Sequence, residues 1–432
     1  MARDVRSGRL VELLSWSLNA IIMLASLVLA VSLAEIVLRM TGLAKVPASQ
    51  NSPYPRSYYA LDDAGGFDLA ERFPPTDFAL TEYAELYKSF IPIWSNEIGC
   101  FDHPVVSGSG TILLVGDSFS WGYVPFEKTW GSVVERETGV RVVKCGVGGY
   151  GPRQARLKAA KVVRRIGAPA VVLLGYYIGN DLMDDYLFPM ATVKDGYLAS
   201  RVSLLDETTG ARRVLTDSEI EANKQAAMEP PHGLGAVKKF IASHSALYNL
   251  LRNNWQLRSL MASVGLADPP PLSPTPLVFR PADRYPWLVG AWTEHLKSLR
   301  DFAREVRGFG AQLVVVIIPT REQVYPFLRP RGGKANWEFP DQKVRDFLES
   351  EGIPTIDLLT EFRARLKSAS GRELDPRRDL YWHHDIHLSI PGNQLTGLLV
   401  SRYLLDHELL HPADAEQRRA SIEQEVAHYP AQ

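Results

Sequence analysis

From Leu13 to Ala34 the chain carries no charged side chain, and Leu, Ile, Val and Ala dominate. At about 1.5 Å per residue, a helix of that length crosses a hydrocarbon core of about 30 Å, which predicts a membrane anchor over 13–38. Arg3, Arg6 and Arg9 precede the run, and Glu35, Arg39 and Lys45 follow it. That basic bias keeps residues 1–12 in the cytoplasm. A cleaved signal peptide is the competing reading, with Ala30-Val31-Ser32 as its small-residue site. Its apolar stretch, however, would run only about 7–15 residues. Residues 39–110 then lose apolar periodicity. Turn formers from Lys45 to about Tyr59 read as a linker, and Gly65 to Val106 mixes aromatics with proline. This lead-in is expected to wrap over the main domain, ending at the joint Ser107-Gly-Ser-Gly110.

From there apolar strand-length runs alternate with helical periods. Strands are predicted over Thr111–Val115, Val140–Lys144, Ala170–Gly175, Gln312–Ile318 and Thr355–Leu358. Helices are predicted over about Glu127–Glu137 (closed by Gly139), Pro152–Ile166, Trp287–Arg307, Asp341–Glu351 and Ile390–Leu405. In the third, Leu288, Trp292, Leu296, Leu299, Phe302 and Val306 keep a three-to-four spacing. Near-continuous apolar strands separated by helices argue for a three-layer α/β/α fold with a five-stranded parallel sheet, covered on both faces. This main domain covers 111–410. An insertion at about 183–284 interrupts it, with turns at Thr208-Thr-Gly210 and Pro269-Pro-Pro271 and a helical patch over Val237–Leu260. It reads either as a lid or rim over a site, or as scaffold decoration. Residues 411–432 form a polar tail with a loose surface helix.

Composition changes this picture in two ways. A net charge of -1 and a pI near 6.8 give no electrostatic case for a nucleic-acid partner. The only two cysteines, Cys100 and Cys145, form an even pair in a chain whose bulk is expected to be exported, and this invites a disulfide. Such a bridge would pin the lead-in to the turn after the second strand. Two unrelated buried thiols are the alternative.

The candidate chemistry begins where the first strand breaks at Gly116-Asp117-Ser118. A serine leaving the carboxyl end of a buried strand on a tight turn has an exposed hydroxyl, and the following amides can face an oxyanion. The turn is not a G-x-S-x-G elbow, since Ser120 stands where the second glycine would be. Three more stretches fall at strand ends, where open α/β sheets bind ligands: Gly146-Val-Gly-Gly-Tyr-Gly151, Gly179-Asn180-Asp181 and Asp385-Ile386-His387. Each has another reading. Asn180 and Asp181 suit a helix cap. His383-His384-Asp385-Ile386-His387 has good zinc ligands. Gly146–Gly151 looks like a dinucleotide loop but lacks the G-x-G-x-x-G spacing. Cys145 is a weaker nucleophile candidate than Ser118, which has a set of partners.

In that order (Ser, Gly, Asn, then Asp and His) the chain resembles the GDSL/SGNH hydrolase superfamily over about Thr111–Leu405, without the insertion. The resemblance implies a flavodoxin-like sheet and a serine ester hydrolase needing no cofactor and no metal. It implies Ser118 as nucleophile, His387 as general base and Asp385 as the acid that orients it, with Ser118, Gly149 and Asn180 as the oxyanion hole. Two positions depart from the pattern. Lys144 stands where the second block usually has Asn. His384 stands three before His387, where the family commonly has Asp, so Asp385 is taken from two before. The expected activity is removal of an O-acyl group, acetyl foremost, from an envelope or extracellular glycan or a small ester. An acyl-serine intermediate carries it, outside a membrane held through the N-terminal helix. An O-acyltransferase sharing that intermediate, or a non-catalytic glycan-assembly protein retaining the fold, are the alternatives.

Overall fold

Five runs pair as parallel strands: β1 (Ile112–Gly116), β2 (Val142–Lys144), β3 (Val171–Tyr177), β4 (Gln312–Ile318) and the short edge strand β5 (Thr355–Asp357). In the computed structural model their order across the sheet is β5-β4-β3-β1-β2. The described residues are 2–41, 54–105, 110–228, 237, 240–241, 244–253, 275–329, 335–365, 374–383, 385–427 and 429. The joint at 107–109, most of the patch over 237–260, the turn at 269–271 and His384 lie outside them.

The strands' continuous apolarity follows from burial on both faces. On one face Leu113, Val115, Val172, Leu174, Val315 and Ile317 meet helices α2 (Pro152–Ile166), α3 (Trp287–Gly308) and α4 (Phe339–Ser350). On the other, Ile112, Leu114, Val171, Leu173, Val314 and Val316 meet α1 (Trp130–Thr138) and α5 (Ile390–Asp406). Alternate residues therefore serve opposite layers, each fully buried aliphatic side chain contributing about 1.5–3 kcal/mol. The fold is thus a three-layer α/β/α sandwich, as the apolar pattern predicts. Helix α1 starts at Trp130 rather than near 127. Phe126–Lys128 forms a short 3-10 turn, and Thr129 caps the helix by accepting from the Ser132 amide. Gly139 closes it in the left-handed region.

The chain forms two units, Met1–Ser49 with Glu229–Leu272, and Gln50–Met228 with Ser273–Gln432. In the first, the helix Ala2–Thr41 contains the 26-residue stretch Trp16–Thr41, within which an 18-residue window reaches a mean hydropathy of 2.6, long and apolar enough to cross a membrane. Glu35 on that helix accepts hydrogen bonds from Ser245 Oγ at 2.9 Å and from the amides of Ala246 and Leu247 at 2.7 and 2.9 Å. It thereby caps the helix Ala246–Asn253, which lies within the predicted patch.

In the second unit the lead-in carries two hairpins the sequence pattern does not announce, Tyr59–Asp62 with Gly66–Leu69 and Thr76–Phe78 with Ile91–Ile93. Their aromatics pack with Trp121, Val147 and Tyr150, residues of the loops that follow β1 and β2. A buried ion pair, Lys158 Nζ to Asp68 Oδ1 at 2.7 Å, fixes the first hairpin to α2. Cys100 and Cys145 form a disulfide closing 45 positions, a constraint on the unfolded chain of about 4 kcal/mol in the loop-entropy picture. The start of the insertion holds two more hairpins, Ala191–Lys194 with Tyr197–Ser200 and Val202–Asp206 with Ala211–Val214. The tail is no loose surface helix. Ile422 and Val426 of Ala415–Ala427 are buried in the core beside α5.

Candidate active site

The sheet order is that of a doubly wound fold with its switch point between β1 and β3, where chain direction across the sheet reverses, the place at which open α/β sheets hold ligands. Ser118 leaves β1 and Asn180 follows β3, and these strands pair with Gly116 opposite Gly175. Both glycines are required by close approach. A Cβ on Gly116 would lie 2.4 Å from the Gly175 carbonyl oxygen, and one on Gly175 would lie 2.2 Å from Ser120 Oγ. Ser120 therefore fills the space under the turn, donating to the Val115 carbonyl at 3.2 Å. Asp117 caps the short helix Ser118–Trp121 by accepting from the Phe119 amide at 2.8 Å, which leaves Ser118 at the helix start.

His387 comes from the loop before α5, 269 positions away. Its Nε2 lies 2.7 Å from Ser118 Oγ. On the other side of the ring the Asp385 carboxylate accepts from Nδ1, and it also accepts from the His387 amide at 2.9 Å. With Nδ1 donating, the neutral ring offers Nε2 as acceptor to the serine hydroxyl. Asn393 on α5 straps the two halves together. Its buried Nδ2 donates to the carbonyls of Leu388, Ser389 and Gly122, while Oδ1 accepts from the Trp130 amide at 3.1 Å. Gly392 lets the base loop close on the helix, since a Cβ there would lie 2.0 Å from the Leu380 carbonyl oxygen. Arg321 Nη1 holds the loop from outside, donating to the carbonyls of His383 and Asp385 at 3.1 and 3.2 Å.

The loop after β2 brings Gly148 beside the serine, where a Cβ would lie 3.8 Å from Ser118 Cβ. Gly149 follows at φ +81°, in the region that favours glycine. Among the described residues the amides of Ser118 and Gly149 have no hydrogen-bond acceptor. Asn180 stands at the cap position of Asp181–Tyr186 yet makes no side-chain cap bond, and its buried Oδ1 has no partner. The two backbone N–H groups are free to donate to a ligand oxygen, and Asn180 keeps its side chain out of the helix-cap role. The cap reading of Asn180 has no hydrogen bond behind it. Among the described residues no group of three His, Cys, Asp or Glu side chains could hold a metal. Lys144, which departs from the expected Asn, is buried and bound to Glu135 Oε2 at 2.6 Å, so it serves the sheet edge instead of the site.

Two features escape the sequence pattern. Tyr123 lies flat on His387, ring centroids 3.7 Å apart and planes within 2°. Its hydroxyl is 2.6 Å from that of Tyr54 in the lead-in. Burial pushes both phenols well above the usual tyrosine range, so they stay protonated. The only sequence signal for Tyr123 is an aromatic after Gly122 in the nucleophile turn, and nothing in the chain order marks Tyr54.

The second feature is a set of buried carboxyls under the turn, Asp117, Asp181 and Asp184, each with one oxygen lacking a partner. Burial pushes Asp117 up to about 7, and burial together with the Asp117 charge pushes Asp181 and Asp184 well above the ordinary 3.8. Above about pH 4 the unfolded chain loses protons that the folded protein keeps. Unfolding free energy therefore falls as pH rises, by about 1.4 kcal/mol per unit for each carboxyl held neutral. Asp184→Asn is expected to make that fall shallower in urea melts run between pH 4.5 and 7. An unchanged slope would show that Asp184 ionises freely.

No family model matches the chain, and no curated protein matches it. Among solved structures it is similar to one described as a lipolytic protein of the G-D-S-L family from Desulfitobacterium hafniense DCB-2, at 12% identity over 68% of this chain and 99% of that one, with a TM-score of 0.32. It is also similar to TesA, at 11% identity over 69% and 99% with a TM-score of 0.34. The acetyl xylan esterase AlAXEase matches at 12% identity over 67% and 97%, with a TM-score of 0.34. At these scores the functional reading rests on the residues of the site.

Proposed function

We propose that this chain is a serine ester hydrolase of the GDSL/SGNH type that removes an O-acyl group, acetyl foremost, from a glycan outside the cytoplasm. The observation that carries the reading is the hydrogen-bonded series from Asp385 through His387 to Ser118 Oγ at a sheet switch point. Ser118 Oγ attacks the ester carbonyl carbon while its proton passes to His387 Nε2. Asp385 holds the ring in the required tautomer and stabilises the imidazolium. The carbonyl oxygen, now negative, is met by the amides of Ser118 and Gly149 and by the Asn180 side-chain amide. As the tetrahedral centre collapses, the proton goes to the departing alkoxide, leaving an acyl-serine. Water, activated by the same histidine, then releases the acid. The basic N-terminus before the apolar helix supports a catalytic unit on the far side of the membrane, and the Cys100–Cys145 bridge supports an oxidising compartment.

Two measurements on the full chain in detergent test this reading. A fluorophosphonate probe is expected to label Ser118, located by peptide mass mapping. A panel of aryl esters from acetyl to octanoyl is expected to be hydrolysed with a preference for the shortest. Wild-type protein that neither labels nor turns over any ester, with its fold intact by circular dichroism, would end the catalytic reading.

A further inference from the structure

A second cleft, of about 330 Å³, opens between α2, α3 and the segment that leaves the Asn180 helix. Its size falls at the small end of pockets that take small ligands. Arg153 and Arg156 on α2, Lys297 on α3 and Arg212 on the Ala211–Val214 strand line it, with Tyr186 and Phe188. The two rings do not fill the cleft but carry the cations. The Arg153 guanidinium lies 4.0 Å from the Phe188 ring centroid and that of Arg212 lies 4.1 Å from the Tyr186 centroid. A guanidinium stacked by its face is held in orientation and turns its N–H edges outward, a geometry suited to a carboxylate.

The charges do not cancel within the wall. Among the described residues Arg153, Arg212 and Lys297 have no acid partner, and Arg156 has only a loose one, Glu305 at 3.5 Å. Of the acids lining the cleft, Asp185 is committed inward. It accepts from His295 Nδ1 at 2.8 Å, Ser298 Oγ at 2.5 Å and the Arg153 amide at 2.9 Å. Asp301 leans to Arg304 at 3.4 Å. That leaves Glu294 as one unpaired carboxylate against three unpaired cations. It suits a ligand that brings hydroxyl donors as well as negative charge.

The cleft is tied to the Ser118 site by a short rigid element. The helix Asp181–Tyr186 starts beside Asn180 and ends at Tyr186 in the cleft wall, a run on the order of 10 Å. Phe188 leads within two residues to Met190, whose Sδ lies 3.8 Å from the Cβ direction of Gly149. The oxyanion groups and the cationic cleft are thus set about one short helix apart along the chain.

We propose that this cleft is a subsite for a carboxylate-bearing sugar unit of the polymer whose ester is cleaved at Ser118. The inference rests on the esterase reading for its partner site, but its test does not use turnover. Full-length Ser118→Ala protein in detergent is titrated calorimetrically with an oligogalacturonide and with a neutral xylo-oligosaccharide of equal length. The uronide is expected to bind about tenfold or more tightly than the neutral chain, and more weakly as salt is added. Adding Arg153→Ala with Arg212→Ala, or separately Lys297→Glu on the opposite wall, is expected to weaken it by about tenfold or more. Equal binding of both sugars, or binding indifferent to both sets of variants, would overturn the assignment. So would displacement of the uronide by inorganic phosphate at equal concentration, or by phosphatidylglycerol vesicles, which would make the cleft a general anion or lipid-headgroup site. Wild-type protein that hydrolyses aryl acetates while Ser118→Ala ignores the uronide leaves the esterase reading standing and removes only this one.

Discussion

Ser118→Ala protein is expected to hydrolyse an aryl acetate about 10⁴-fold or more slowly than wild type, with no acyl-enzyme visible by intact mass. The magnitude follows from what the substitution removes. Without Oγ there is no covalent route, and water must attack a carbonyl held only by the oxyanion donors. His387→Ala is expected to cost a comparable factor, because the serine hydroxyl at 2.7 Å loses the group that takes its proton. The double variant is the discriminating case. Residues that act as one unit do not add, so it should be no slower than either single variant. A double variant slower than both by the product of their effects would mean that Ser118 and His387 act independently. In that case their hydrogen bond would have no part in turnover.

Asn180→Ala is expected to lower kcat by about 10²–10³ with little change in KM or melting temperature. The pairing of effects matters here. As a helix cap, Asn180 would cost about 1 kcal/mol when truncated, and turnover would be spared. Its side chain makes no cap bond, however, and its buried Oδ1 has no partner, so little folding energy is attached to it. If its Nδ2 donates to the oxyanion, as proposed, that bond contributes only when charge develops there. Asn180→Asp should be at least as damaging, since it sets a carboxylate against the oxyanion above buried acids already crowded at Asp117, Asp181 and Asp184. A variant with lower melting temperature and intact kcat would return Asn180 to the role of a cap.

The sheet was legible because its central strands are buried on both faces, which turns them into strand-length apolar runs. Gln312–Ile318 is read to the residue for that reason, and Pro152–Ile166 because proline opens it and Gly167 follows it. The short hairpins of the lead-in were not legible. Strands of three or four residues carry too few alternations to stand out, and their pairing is fixed by aromatics contributed from loops far along the chain. The tail helix misled for a related cause, since two apolar residues, Ile422 and Val426, attach it to the core amid a polar majority. Within the site, residue types with a chemical signature could be read from their order. Tyr123 could not. Stacking on an imidazole leaves no spacing rule in the sequence, and only the fold brings the two rings together.

The 269 positions between Ser118 and His387 also bear on how the molecule comes into being. A growing chain exposes its serine while the histidine is still to be translated. Until the last part of the polypeptide has emerged, closed its loop under Asn393 and laid α5 across the sheet, the hydroxyl has no base. Under the proposed mechanism, reactivity toward acyl groups is withheld during synthesis and arrives together with the final layer of the core. A copy truncated before His387 would on that mechanism lack its base, so incomplete chains would carry no esterase activity.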